Sequence, residues 1–218
     1  MLMWKNIKAA IFDLDGTLAD SMWIWKEIDI RFLRSRGLAM PEDLQRQIEG
    51  LSMRETAVYF RRRFHLPDTE EALMREWNEM AFTTYSSEIS LKPGAKDLLE
   101  ALKKRGIAAG IATSNSPELT GAFLKAAGIR ELLDCVVTAN EVKRGKPAPD
   151  VYLLAKEKLG VRAADCLVFE DILAGIEAGK AAGMKVCAVY DDYSRDVDER
   201  KRQMADYYIR NFLESEGI

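Results

Sequence analysis

The chain has a single histidine, His65, and three cysteines, Cys135, Cys166 and Cys187, with no Cys-x-x-Cys pair. That scarcity leaves no His/Cys set from which a soft-metal site could be built, and an odd number of scattered thiols gives no disulfide framework. Each cysteine falls in an apolar, strand-like run, where a small buried thiol fits. His65 precedes Pro67 and reads as a surface or cap residue. No apolar run approaches the roughly 20 residues a bilayer span needs, and Met1-Leu2-Met3-Trp4-Lys5 lacks a signal-peptide plan, so a soluble, cytoplasmic protein is expected. Charge of one sign is missing too. The 32 Lys and Arg residues nearly balance 35 acidic ones, which argues against a nucleic-acid or anionic-membrane partner.

What the chain does have is Phe12-Asp13-Leu14-Asp15-Gly16-Thr17, two carboxylates around one leucine at the end of the apolar run Ala9 to Phe12. Residues i and i+2 of an extended segment point the same way, so Asp13 and Asp15 can converge beyond a strand. Carboxylates this close need a cation, a shared proton or two separate roles. Hydrolysis of a phosphate ester could use all three: one carboxylate attacks phosphorus, the other protonates the leaving oxygen, and Mg²⁺ neutralises charge. An acidic loop at a strand end is the plain alternative for Asp-x-Asp alone.

From about residue 90 onward, short apolar runs alternate with amphipathic stretches, the pattern of a parallel sheet wrapped by helices. A helix opens at Pro93-Gly94, and strands are expected at Ile107 to Thr113, Cys135 to Val137, Cys166 to Phe169 and Val186 to Val189. Helices capped by Ser116, over Pro149 to Leu159 and over Ile172 to Ala182 connect them. Functional groups in such sheets gather beyond the carboxyl ends of the strands. Those positions hold Asp13 and Asp15, then Thr113-Ser114-Asn115, then a loop with Lys143, Arg144 and Lys146, then Glu170-Asp171. Ser114 and neighbouring N–H groups can donate to a phosphoryl oxygen, Lys146 can supply positive charge, and Asp171 can complete an oxygen ligand set for Mg²⁺. Glu170 is expected to bind metal water or ligand positions, or to orient Lys146. Each has an ordinary alternative as a cap or a solvated charge, and their shared location argues against those alternatives.

These residues resemble four motifs of the haloacid dehalogenase superfamily, and within it the β-phosphoglucomutase-like phosphatase group. The motifs are Asp13-Leu14-Asp15-Gly16-Thr17, Ser114-Asn115, Gly145-Lys146-Pro147-Ala148-Pro149-Asp150, and Phe169-Glu170-Asp171 followed by Ala174-Gly175-Ile176. The resemblance implies an α/β, Rossmann-like core and Mg²⁺-dependent phosphoryl transfer through Asp13, with Asp15 as acid–base. It implies that Ser114, Asn115 and Lys146 hold the phosphoryl group, and that Asp13, the Asp15 carbonyl and Asp171 bind the metal. A small phosphorylated metabolite, most plausibly a sugar phosphate, is the expected partner, for a monomer or weak dimer.

Residues 19–90 read as an all-helical insert between core segments 1–18 and 91–218, with helices over Trp23 to Arg36, Pro41 to Glu49, Met53 to Phe64 and Thr69 to Tyr85. Similar family members carry a helical cap here. Trp23 and Trp77 are expected in the core of the insert, and Arg61-Arg62-Arg63 on a solvated face. Trp25 stands where the mutases of the group have a histidine that assists phosphoryl return, and it cannot transfer a proton. Related cap loops place a phosphate-contacting arginine at the position of Met53, so Arg54, like Trp25, is a candidate for cap specificity. Ile172 replaces a supportive serine or threonine of many relatives. A phosphatase is therefore expected ahead of a phosphomutase on hexose phosphates, and ahead of a non-enzymatic phospho-acceptor. The charged stretch Asp191 to Arg202 reads as an exposed loop and helix before a short strand at Tyr207 to Ile209.

Overall fold

A computed structural model describes residues 3–215; Met1 and Leu2 of the amino-terminal stretch read above lie outside them. Six parallel strands form one sheet: β1 (Ala9–Phe12), β2 (Ala108–Thr113), β3 (Cys135–Thr138), β4 (Cys166–Glu170), β5 (Lys185–Val189) and β6 (Tyr207–Ile209), in the order β3-β2-β1-β4-β5-β6. The expected α/β Rossmann-like architecture is therefore present. Four helices, α1 (Met22–Ser35), α2 (Leu44–Ile48), α3 (Met53–Phe64) and α4 (Glu70–Ser87), follow β1 before the chain returns to the sheet. The remaining helices are α5 (Ala95–Lys104), α6 (Pro117–Ala126), α7 (Asp150–Leu159), α8 (Leu173–Ala181) and α9 (Asp198–Met204). No helix among the described residues is long and apolar enough to cross a membrane.

A strand buried on both faces has no polar side to alternate, which is why β1 reads Ala-Ala-Ile-Phe without interruption. Its residues are divided between two cores. Ala10 and Phe12 join Phe169 and Leu99 on one face, whereas Ala9 and Ile11 join Val168 and Tyr152 on the other. The rings of Phe12 and Phe169, paired in register on β1 and β4, stack with centroids 4.8 Å apart. The first core continues without a break into the helical insert through Ile28, Phe32, Phe60 and Trp77. All three cysteines are free and buried, His65 is exposed at the end of α3, and Arg61, Arg62 and Arg63 are exposed, as expected. The expectation of a place in the core of the insert is met for Trp77 and not for Trp23, which is exposed.

The insert is joined to the sheet domain by two antiparallel passes of chain: Asp20 N donates to Ser90 O at 2.9 Å and Lys92 N to Leu18 O at 2.8 Å. Helix α2 is shorter than the expected Pro41 to Glu49. Leu44 N bonds Pro41 O three residues back, so the first residues form a turn instead of a helix. Helix α4 runs two residues past Tyr85, where the hydroxyls of Ser86 and Ser87 bond back to the carbonyls of Phe82 and Thr83. The stretch 191–202 holds the expected loop and helix before β6, with Asp192, Arg195, Asp196 and Arg202 exposed, but three of its residues depart from expectation. Asp191, Ser194 and Lys201 are buried, not exposed. Lys201 Nζ donates to Ser194 Oγ at 2.9 Å and to Val189 O, and Lys92 Nζ donates to Asp191 Oδ2 at 2.5 Å. Hydropathy could not reveal this, because the burial is offset by hydrogen bonds between polar groups distant in sequence.

Candidate active site

Strand β1 lies where the sheet order reverses, between β2 and β4, and the crevice beyond the carboxyl ends of these strands collects the predicted residues. Asp13 N still donates to Phe169 O at 3.0 Å, which extends the β1–β4 ladder one residue and fixes the direction of the Asp13 side chain. Lys146, in the loop after β3, donates from Nζ to Asp13 Oδ1 at 2.5 Å and also to Glu170 Oε1. Lys143 and Arg144 of the same loop are exposed, and Arg144 pairs with Asp150 on the surface.

Every acceptor direction of Glu170 is in use. Oε1 also accepts from the Tyr152 hydroxyl at 2.7 Å, and Oε2 accepts from the backbone N–H groups of Asp171 and Ile172. The contacts of Glu170 therefore suit orienting Lys146 rather than ligating an ion. Asp171 is different. Its Oδ1 accepts from Thr17 Oγ1 at 2.8 Å, but its Oδ2 is buried without a partner. Gly16 makes room for that oxygen: a Cβ there would lie 2.2 Å from Asp171 Oδ2, and φ of +80° also favours glycine.

Burial pushes the Asp13 carboxyl up, the Lys146 charge partly offsets this, and Glu170 pushes it up again, to about 7. Burial and the charges of Glu170 and Asp13 likewise raise Asp171 well above the ordinary range. Burial alone would lower Lys146, but Asp13 and Glu170 outweigh it and hold the ammonium charged. Asp13, Glu170 and Asp171 each offer an oxygen within 4.8 Å of the others. Lys146 serves only two of these three clustered carboxyl groups, Asp13 and Glu170, and the third, Asp171, keeps a buried oxygen with no partner. The donor set fits a hard divalent cation.

Asp15 is held away from this cluster. Its Oδ1 accepts from Ser21 Oγ at 2.6 Å and from the Tyr85 hydroxyl, and its Oδ2 accepts from Asn115 Nδ2 at 2.8 Å. Asn115 thus orients Asp15, and its Oδ1 caps the start of α6 through Ser116 N. Ser114 Oγ donates to Gly50 O at 3.1 Å, a bond between the loop after β2 and the insert. Glu55 adds a second tie by accepting from Gly145 N.

A cavity of about 160 Å³ lies between the insert and the sheet, with Asp13, Asp15, Ser114, Asn115 and Lys146 at its floor. Trp25 lines it. Arg54 does not: it flanks the buried stripe of Met53, Ala57 and Phe60 on α3, and its exposed guanidinium pairs with Glu70 and Glu71 at the start of α4. Sequence reasoning passed over Tyr85, Tyr152, Ser21, Asp29 and Glu49, all of which touch the site or line the cavity. Asp29 had a readable signal, a charge on the buried side of α1 beside Ile28, Phe32 and Leu33.

Residues 10–189 match the family described as haloacid dehalogenase-like hydrolase. The chain belongs to that family. Among its relatives, hexitol phosphatase A of Escherichia coli is 39% identical over 184 residues, 84% of this chain and 82% of that protein. The phosphorylated carbohydrates phosphatase of Thermotoga maritima is 32% identical over 179 residues, 82% of this chain and 83% of the other. The crystal structure of CbbY from Rhodobacter sphaeroides with phosphate superimposes with a TM-score of 0.86 over 97% of each chain, at 27% identity. With relatives of this kind along most of its length, this hydrolase is an enzyme of the phosphatase type.

Proposed function

We propose that this hydrolase is a Mg²⁺-dependent phosphatase of small phosphorylated metabolites, sugar phosphates foremost, working through an aspartyl-phosphate at Asp13. The observation that carries the reading is the pairing of Asp13 with Lys146 beside an Asp15 held separately by Asn115, Ser21 and Tyr85. Two neighbouring carboxylates with different partners can play different roles. Residues 19–90 act as the cap and residues 1–18 and 91–218 as the core.

Asp13 attacks phosphorus, the bond to the leaving oxygen breaks, and Asp15 gives that oxygen its proton. Asp15 then takes a proton from water as the water attacks phosphorus and frees Asp13. Lys146 and Ser114 hold the phosphoryl oxygens; the Ser114 hydroxyl exchanges its bond to Gly50 for one to the substrate. Asn115 keeps Asp15 aimed at the leaving oxygen. Asp13, Asp171 and the Asp15 carbonyl would hold Mg²⁺, which when bound neutralises charge on the transferring group. The cap excludes water while the first transfer occurs. Trp25, at the place of the mutase histidine, has no acid–base chemistry to return a phosphoryl group, which favours hydrolysis over isomerisation.

Phosphate release from a panel of sugar and nucleoside monophosphates, with Mg²⁺ and with EDTA, tests this in the native protein and in Asp13→Asn. Metal-dependent release that disappears in the variant is expected. A folded native protein that releases no phosphate from any member would overturn the reading.

A further inference from the structure

The upper wall of the cavity carries polar groups that phosphoryl transfer does not use. Asp29, on α1, is buried at 6% exposure, and its Oδ2 accepts from Gln45 Nε2 at 2.6 Å. The Gln45 carbonyl oxygen in turn accepts from the Tyr193 hydroxyl, so the amide is locked and the Asp29 carboxyl has a fixed orientation. Glu49, just after α2, lines the same wall. Among the described residues no basic side chain pairs with Asp29, whose carboxyl burial pushes up to about 7, and burial followed by the charge of Glu170 raises Glu49. Trp77 lines the cavity as well, and its indole N–H is buried with no partner.

The wall thus holds carboxylates short of donors. A hydroxyl is the neutral group that serves them, because it donates a hydrogen bond without bringing a charge. Buried polar groups without partners carry a free-energy penalty that a bound ligand of the right kind removes. Cations are also telling by their placement: Lys146, committed to Asp13 and Glu170, is the only Lys or Arg among the described residues that line the cavity. A second phosphate or a carboxylate on the leaving group would meet Asp29 and Glu49 with nothing to neutralise it, a repulsion that selects against such substrates.

We infer that this wall is the leaving-group subsite, that Asp29 and Glu49 bind the hydroxyls of an uncharged polyol or sugar, and that substrates bearing a second anionic group are rejected. The inference rests on the phosphatase reading above.

The test measures kcat/KM for a hexitol monophosphate, a hexose bisphosphate, phosphoglycolate and p-nitrophenyl phosphate, the last having no hydroxyls for the wall to bind. The native protein should favour the hexitol monophosphate over the bisphosphate and phosphoglycolate by about tenfold or more. Asp29→Asn and Glu49→Gln should each lower the ratio of hexitol monophosphate to p-nitrophenyl phosphate about tenfold, mainly through KM. Glu49→Lys should narrow the gap between bisphosphate and monophosphate. Equal or greater activity on the anionic substrates would overturn the inference alone, as would variants that change all substrates in proportion. No turnover of any substrate, p-nitrophenyl phosphate included, would remove the phosphatase reading and this inference with it.

Discussion

The hydroxyl of Tyr85, near the end of α4, donates to Asp15 Oδ1, which joins the last helix of the insert to the second aspartate of the first motif. The bond places one residue of the insert on the group proposed to transfer the proton. Removing it in Tyr85→Phe should lower kcat roughly ten- to hundredfold, the range expected for a hydrogen bond to a charged group. Asp15 keeps its bonds from Ser21 and Asn115, so the melting temperature should change much less than turnover does. Steady-state kinetics beside thermal melts decide this; a variant with native kcat would show that Tyr85 does not position Asp15.

Lys146 is the cation that Asp13 and Glu170 share in a buried site. Lys146→Met should cost about 3–5 kcal/mol of stability, since it leaves two buried carboxylates without their partner. Urea unfolding at neutral pH measures it, and a loss below about 1 kcal/mol would count against the ion pair as a structural element.

Gly16 touches Asp171 by close approach. In Gly16→Ala, a Cβ 2.2 Å from Asp171 Oδ2 must push the carboxylate aside, and φ of +80° adds strain. The expected loss is about 2 kcal/mol or more. Because the displaced oxygen is the orphaned one, Mg²⁺ should raise the melting temperature of the native protein and do so far less in the variant. Identical Mg²⁺ responses would separate Asp171 from metal binding.

Burial lifts the Asp29 carboxyl from 3.8 to about 7. Between those values the unfolded chain has released this proton and the folded chain retains it, so stability falls as pH rises from about 4 to about 7. The loss is bounded by roughly 4 kcal/mol, from about three pH units of separation. Asp29→Asn has no proton to lose, and its stability relative to native should improve across that interval. Denaturant melts of both proteins in EDTA at several pH values check it; parallel curves would mean that Asp29 is solvated in the folded state.

Much of the fold was written locally. The apolar runs at Ala9 to Phe12 and Tyr207 to Ile209 are strands at the expected residues, and Met53 to Phe64 is a helix whose capping box, Ser52 with Glu55, is a matter of nearest neighbours. The floor of the site was legible for the same reason: Asp13, Asp15, Ser114, Lys146 and Asp171 each follow a strand, and a parallel sheet gathers such positions by construction. The burial of Asp191 and Ser194 in the loop 191–197 was not legible, because their partners, Lys92 and Lys201, come from elsewhere in the chain.

Sequence by itself therefore determined the alternation of strands and helices, the helical insertion after the first strand, and the residue types at each strand end. Tertiary structure alone decided how those residues divide their contacts. It gave Glu170 to Lys146 and backbone N–H groups, gave Asn115 to Asp15, turned Arg54 outward, and set Asp29 and Glu49 above the floor. The reason is physical. Spacing along a chain fixes which residues share a face, but a hydrogen bond or an ion pair depends on where two faces from distant segments meet, and only the packing of those segments settles that.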